Sequence, residues 1–251
     1  MSEPKSIGSI LAEFPLFPSP LVRLDSGERY VITQLDAVAL LRSLPDRSID
    51  LLNFDLPYES LEKHRAVGST TRLTHSKKSS NDWFNVFKNE RFTELFTECY
   101  RVLAPNRHAF LWCDDETSDF MKPAATAAGF KCWKRIVWNK VHFGMGYHYR
   151  AQYEFILFLE KGKRRLNNLG VGDVLTSKRI KSKDAYPAEK PVDINETLIL
   201  NSTQPGEVVC DPFCGSGSAG VAALKHGRRF LGNDLAPGAV ELSRKRLEAC
   251  L

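Results

Sequence analysis

The stretch DPFCGSGSAG, residues 211–220, decides how the rest of this chain can fold. It follows the apolar run EVVC and precedes a helical pattern, so it is predicted to link a strand to a helix. Its GxGxxG glycines, Gly215, Gly217 and Gly220, allow a tight turn and let a ligand touch the backbone at a helix N-terminus. The next predicted strand, RRFLGND, ends on Asp234, where parallel α/β sheets place a carboxylate for ribose hydroxyls. Glycines that serve only helix–strand packing are the alternative, which two successive strands ending in an acid make weaker.

Two classes of ligand fit this loop, a dinucleotide or S-adenosylmethionine. A dinucleotide fold needs most of its strands after the glycine fingerprint, whereas only 17 residues follow Asp234. The other strands must therefore come from upstream sequence, in an order permuted relative to the usual chain direction. An oxidoreductase is difficult to fit into such an order.

The upstream sequence supplies those strands. Short apolar runs alternate with helical patterns, which predicts one α/β domain over residues 29–251 with a mainly parallel sheet and helices on both faces. Asp193 and Glu196 form a capping-box pattern that opens one of these helices. Residues 1–28 are proline-rich and predicted to form an extended arm. The predicted strands are RYVIT, IDLLNF, HAFLWC, KCWKRIVW, YEFILFL, EVVCDPF and RRFLGND.

The bulk composition narrows the class of protein. The 251 residues are 43% hydrophobic and 26% charged, enough for one large core. No apolar run is long enough to cross a bilayer, and the start lacks a secretory pattern. The six cysteines include no CxxC pair, so neither a zinc site nor a disulfide framework is indicated. We expect a reduced, intracellular, soluble protein that uses no metal and no membrane.

The positive charge is concentrated in one segment. The chain carries a net charge of +5, and residues 161–184 alone hold eight basic and two acidic residues. The stretches 59–90 and 161–186 are predicted to be long irregular loops, which in a compact domain are usually functional or disordered. A solvated surface loop and a contact to a phosphate backbone fit the charge equally well.

Several motifs in a fixed order indicate a family. The chain resembles the amino-type DNA methyltransferases of the permuted class, in which the catalytic motif precedes the cofactor motif. DLPY at 55–58 is similar to their D-P-P-Y motif, YRAQYEFILFLEKG at 149–162 to a later strand motif, and the region from YPAEKP to DPFCGSGSAG to their cofactor region. Departures are Leu56 in place of proline, Asp234 where glutamate is frequent, and Tyr186 where histidine is common. The resemblance implies a Rossmann-like, S-adenosylmethionine-dependent methyltransferase fold with circularly permuted motif order.

The resemblance also implies the chemistry of the DLPY motif. An exocyclic base amine is a poor nucleophile because its lone pair is delocalised into the ring. We expect Asp55 to accept one N–H and the main-chain carbonyl of Leu56 the other, which tolerates the loss of proline. Pro57 fixes the turn, and Tyr58 offers its ring to a base flipped out of the duplex. Rate enhancement then comes mostly from orienting two reactants.

The cofactor residues follow from the matched segments. Asp234 is expected to hold the ribose, and Lys190 either approaches the cofactor carboxylate or lies on the surface. Asp36 either contacts the adenine amine or caps the next helix. The remaining predicted cofactor residues surround the methionine and ribose portions: Asp211, Pro212, Phe213, Gly215, Ser216 and Gly217.

Double-stranded DNA is the predicted partner, and the loops 59–90 and 161–186 are expected to face it. Arg150 is expected to face the target pocket, with a buried Arg150–Glu154 ion pair as the structural alternative. Members of the family are often dimers, so a homodimer stays open. The other predicted DNA contacts are Lys163, Arg164, Arg165, Lys178, Arg179, Lys181 and Lys183.

The aspartate-led motif favours adenine N6 as the target, in a short sequence. Cytosine-N4 or RNA methylation is the nearest rival within enzymes. A catalytically silent DNA-binding partner of the same fold is the rival from another class, and a dehydrogenase fits least.

Overall fold

The computed structural model describes residues 29–60, 86–144, 148–179 and 189–251. The predicted N-terminal arm, most of the 59–90 loop, and Lys181 and Lys183 lie outside these ranges. In the described part of the chain, no helix has the length and apolarity needed to cross a membrane.

Eight strands of the described residues form one sheet. They are β1 (Tyr30–Thr33), β2 (Ile49–Asp55), β3 (Leu103–Cys113), β4 (Lys131–Asn139), β5 (Tyr153–Lys161), β6 (Val174–Thr176), β7 (Val208–Asp211) and β8 (Arg229–Asn233). The order in the sheet is β1-β8-β7-β2-β3-β5-β4-β6, and of these strands only β5 runs against its neighbours, β3 and β4. Strands β7 and β8, from late in the chain, therefore insert between β1 and β2, which confirms the permuted, mainly parallel sheet.

Helices cover both faces of the sheet, as predicted. On one face, α1, α2 and α3 pack with Leu52, Phe54 and Leu111 in one apolar cluster. On the other, α4, α5 and α6 pack with Leu51 and Phe110 in a second cluster. The central strands are apolar on both sides because neighbouring residues, such as Leu51 and Leu52, point to opposite faces. The helices are α1 (Ala37–Ser43), α2 (Phe92–Val102), α3 (Asp115–Ala127), α4 (Val192–Ser202), α5 (Ser218–Lys225) and α6 (Pro237–Glu248).

Two local predictions were wrong. The capping box is absent: α4 begins after Pro191 without a side-chain cap, and Glu196 instead contacts Lys225. The segment 161–186 is not irregular throughout, because β6 pairs in parallel with the end of β4. In the first case the reason is the helix start: because Pro191 is the N-cap residue of α4, Asp193 lies inside the first helical turn.

Candidate active site

A cavity of about 290 Å³ opens at the carboxyl ends of β2, β7 and β8. The permuted order puts these strands side by side, so the DLPY turn and the glycine loop face the same space. Open α/β sheets bind ligands at this edge. Of the predicted catalytic and cofactor residues, only Gly217 is outside the lining, which includes Asp36, Asp55, Leu56, Pro57, Tyr58, Lys190, Asp211, Pro212, Phe213, Gly215, Ser216 and Asp234.

The DLPY turn is held by the last residues of the 59–90 stretch. Asp55 is the last residue of β2, and the Pro57 carbonyl accepts a hydrogen bond of 2.8 Å from the Phe87 amide. Leu56 is 1% exposed and Tyr58 is 5% exposed. The Tyr58 hydroxyl donates to Oδ1 of Asp55. Tyr58 thus orients the carboxylate, while its predicted stacking face is mostly packed against protein.

A buried chain of alternating charges runs behind Asp55. Lys190 Nζ lies 2.8 Å from Oδ2 of Asp55 and 2.8 Å from Oε2 of Glu154. Lys140 Nζ lies 2.5 Å from Oε1 of the same glutamate. The alternative of an Arg150–Glu154 ion pair is wrong, because Glu154 pairs with the two lysines and the Arg150 guanidinium lies over the Phe143 ring. Sequence reasoning gave Glu154 no role in the site.

The ionisation of these groups is tightly linked. Burial raises the pKa of Asp55, and the nearby Lys190 ammonium opposes this rise. Burial also disfavours the charged Lys190, but Asp55 and Glu154 outweigh it and raise the pKa of Lys190. For Glu154, burial is outweighed by the ammonium groups of Lys190 and Lys140, which lower its pKa to about 2. The arrangement therefore keeps Glu154 and Lys190 charged at neutral pH.

The glycine loop makes a tight turn whose amides are directed at acids. Gly215 and Gly217 have φ angles of +50° and +76°, a region that glycine enters without strain. The Gly215 amide donates to Asp234 (2.9 Å), and the Phe213 amide donates to Asp211 (3.0 Å). The packing alternative fits Gly220, because a Cβ there would meet the Phe230 ring at 2.6 Å.

Asn233 fixes the strand ends around this loop, a role that the sequence gave no reason to expect. Its side chain is 1% exposed. Its carbonyl oxygen accepts from the Thr33 hydroxyl (2.7 Å) and the Leu35 amide (3.0 Å). Its amide nitrogen donates to the carbonyls of Leu35 (2.9 Å) and Pro212 (3.0 Å). The ends of β1, β7 and β8 are thus tied together.

Asp36 caps α1, as one of its two predicted roles required. Its Oδ1 accepts from the amides of Val38 and Ala39 at 3.1 and 3.2 Å. Arg91 binds both carboxylate oxygens at 2.9 and 3.0 Å. The side chain lines the cavity with both oxygens already engaged.

The predicted DNA-binding residues that the structure describes lie at two opposite edges of the sheet. Lys178 and Arg179 follow β6, whose end lies beside the end of β4 at the cavity edge. Because β5 is antiparallel, its end at Lys161 pairs with Arg107 near the start of β3, so the residues that follow emerge at the far edge. There Arg164 forms an ion pair with Glu207 (3.0 Å). Lys163 and Arg165 flank it and are not brought near Asp55.

The described residues contain no group of three or more metal-ligating side chains. The groups around the glycine loop include the carboxylates of Asp211 and Asp234, the backbone of the loop, and the Phe213 ring, which packs against two other phenylalanines at 5.4 and 5.6 Å. This set of hydrogen-bonding groups beside an aromatic wall fits a nucleoside joined to an amino acid. A bound S-adenosylmethionine would be held by Asp211, Phe213, the loop from Gly215 to Gly217, and Asp234.

Comparisons with known proteins agree with this geometry. A family model described as DNA methylase matches residues 49–184 and 168–245. The type II methyltransferase M2.DpnII of Streptococcus pneumoniae is 28% identical over 246 residues, which cover 88% of this chain and 90% of that protein. The DNA adenine methyltransferase YhdJ of Escherichia coli K12 is 24% identical over 263 residues, covering 88% of this chain and 84% of that protein. The crystal structure of an M1.HpyAVI–SAM complex aligns with a TM-score of 0.65 at 22% identity, over 87% of this chain and 100% of that chain.

Proposed function

This chain belongs to the DNA methylase family, and from that premise we propose that it methylates the exocyclic N6 of adenine in double-stranded DNA. S-adenosylmethionine is the methyl donor. The observation that carries the proposal is the position of Asp55 at the end of β2, in the same cavity as the glycine loop and Asp234. An aspartate-led motif and a relative named as a DNA adenine methyltransferase support adenine over cytosine.

The mechanism rests on orientation of the target amine. When bound, S-adenosylmethionine supplies an electrophilic methyl on a sulfonium. Asp55 accepts one N–H of the amine and the Leu56 carbonyl the other, so that the nitrogen lone pair is turned towards the methyl. Tyr58 holds the Asp55 carboxylate in place through its hydroxyl. Transfer leaves the amine nitrogen positively charged, and the nitrogen then releases a proton to Asp55 or to water.

The test is mass spectrometry of nucleosides from DNA incubated with the protein and deuterated methyl donor. We expect labelled N6-methyladenine from the wild type. Asp55→Asn keeps the shape of the side chain but weakens the acceptor, and should lower the rate about 10²-fold or more. Asp119→Asn, at an exposed acid on α3, is the matched control and should be fully active. Labelled N4-methylcytosine would show that the target base is cytosine and not adenine. DNA that carries no label after incubation with the wild type would overturn the proposal.

We further propose that DNA lies across the edge formed by the β4–β5 connection and the residues after β6. Arg150, Lys178 and Arg179 are the cations of that edge. Replacing Lys178 and Arg179 with alanine should weaken DNA binding and reduce the slope of log K against log salt by about 2. The far-edge pair Lys163 and Arg165 provides a matched double variant that should bind like the wild type.

Equal losses from both double variants would place the DNA elsewhere. The homodimer that the family resemblance leaves open is tested by light scattering on the purified chain, with and without a DNA duplex. A mass of one chain in both samples would exclude it.

A further inference from the structure

We propose that Lys190 and Glu154 are positioning residues for Asp55, and that Lys190 does not bind the carboxylate of the cofactor. The inference rests on the proposed function, because it assigns roles within the same reaction. It changes the expected role of Lys190 and gives one to Glu154.

The three groups come from separate elements of the fold. Asp55 ends β2, Glu154 is the second residue of β5, and Lys190 lies just before α4. Only 10% of the Lys190 side chain is exposed, against 25% of Asp55 and 20% of Glu154. Lys190 is thus enclosed between two carboxylates, both 2.8 Å away, which leaves its ammonium little surface for a ligand.

The charges explain why this arrangement suits the reaction. Without Lys190, the partly buried carboxylates of Asp55 and Glu154 would repel each other, and one of them would take up a proton. A lysine between them allows both to remain ionised. An ionised Asp55 accepts the N–H of an amine more strongly than the protonated acid does. Lys190 therefore maintains the reactive form of Asp55.

Glu154 in turn holds Lys190. A buried ammonium with one partner would be free to rotate away, whereas a second carboxylate fixes it from the opposite side. Lys140, 4% exposed, binds the other oxygen of Glu154 and completes a neutral row of two cations and two anions. Removing one member of such a row leaves an uncompensated buried charge.

The pH dependence of methyl transfer distinguishes this role from simple structural support. Asp55 senses charges from every element around it, namely Lys190, Glu154, Tyr58, Cys113 and Asp211. Lys190→Met removes the cation that opposes protonation of Asp55, so the rise of the rate with pH should move to higher pH. Glu154→Gln removes an anion, so the same rise should move to lower pH. Loss of packing alone would not produce shifts in opposite directions.

The experiment measures single-turnover methylation of a DNA duplex as a function of pH, together with the Kd for S-adenosylmethionine by calorimetry. At neutral pH, Lys190→Met should lower the rate about 10²-fold, as removal of a preorganised charge does. Its Kd for the cofactor should stay within about twofold of the wild-type value, since no cofactor contact is lost. Lys134→Met is the matched control, because this lysine is 55% exposed.

Two outcomes would overturn the inference. A large loss of cofactor affinity in Lys190→Met would return this residue to the cofactor site, and shifts in the same direction would reduce the pair to structural support. Thermal unfolding of each variant shows whether it folds, and the isosteric Glu154→Gln still tests the inference if Lys190→Met does not. A wild type without any methylation would instead refute the proposed function.

Discussion

Replacement of Asn233 tests whether its hydrogen bonds hold the cofactor edge together. Asn233→Ala removes four hydrogen bonds at once, those that join it to Thr33, Leu35 and Pro212. The groups left behind are buried or partly buried. We therefore expect a large loss of stability from a side chain that is not proposed to touch either substrate.

The size of the effect follows from the number of bonds. At about 1 kcal/mol for each hydrogen bond, the four together contribute about 4 kcal/mol to the free energy of unfolding. For a chain of this length, 1 kcal/mol lowers the melting temperature by about 2–4 °C. Asn233→Ala should therefore melt roughly 8–16 °C below the wild type.

Differential scanning calorimetry measures this shift directly. Asn168→Ala is the matched control: Asn168 is exposed, and its side chain accepts from the Gly170 amide and from no distant strand. The control should melt within about 2 °C of the wild type. If the melting temperature of Asn233→Ala changed as little as that of the control, the view that this residue ties three strands together would be refuted.

Three further predictions concern the loop and its neighbours. Gly217→Ala places a Cβ 2.9 Å from the Ser243 hydroxyl at a φ of +76°, so it should destabilise the fold by about 1–2 kcal/mol in urea unfolding; an unchanged midpoint would contradict this. Hydrogen bonds from Arg91 lower the pKa of Asp36, so its stabilising effect is complete above the unfolded value of 3.8 and lost as pH falls below it. The difference in melting temperature between wild type and Asp36→Asn should thus close on acidification from about pH 6 to pH 3, and a constant difference would argue against it. Phe213→Ala should weaken binding of S-adenosylmethionine about tenfold by calorimetry, and unchanged affinity would exclude a wall contact.

The predictable part of the site consists of residues at the ends of parallel strands. Asp55, Asp211 and Asp234 each close an apolar run, and such ends meet at one edge, so their convergence follows from the strand pattern. The glycine loop was predictable for the same reason. Its place late in the chain was enough to indicate the permuted order that the sheet confirms.

Strand direction accounts for most of what could not be predicted. The run YEFILFL indicates a strand but does not say which way it runs. Because β5 is antiparallel, Glu154 at its start lies in the active site and Arg164 beyond its end lies at the far edge. Lys190 was predicted either to approach the cofactor carboxylate or to lie on the surface, because the sequence does not reveal the partner of a long flexible side chain. The role of Asn233 depends on contacts about 200 residues away along the chain.

The antiparallel course of β5 also gives the protein two ends that can be labelled for different purposes. Leu169, 64% exposed, lies on the segment that leaves β5 away from the cavity, so a fluorophore there should follow folding or tumbling without obstructing turnover. Tyr149 is fully exposed on the connection that enters β5 at the cavity edge. A fluorophore at that position should instead change its emission when a duplex arrives. A label beyond the end of β5 thus reports on the protein alone, and a label before its start reports on DNA binding.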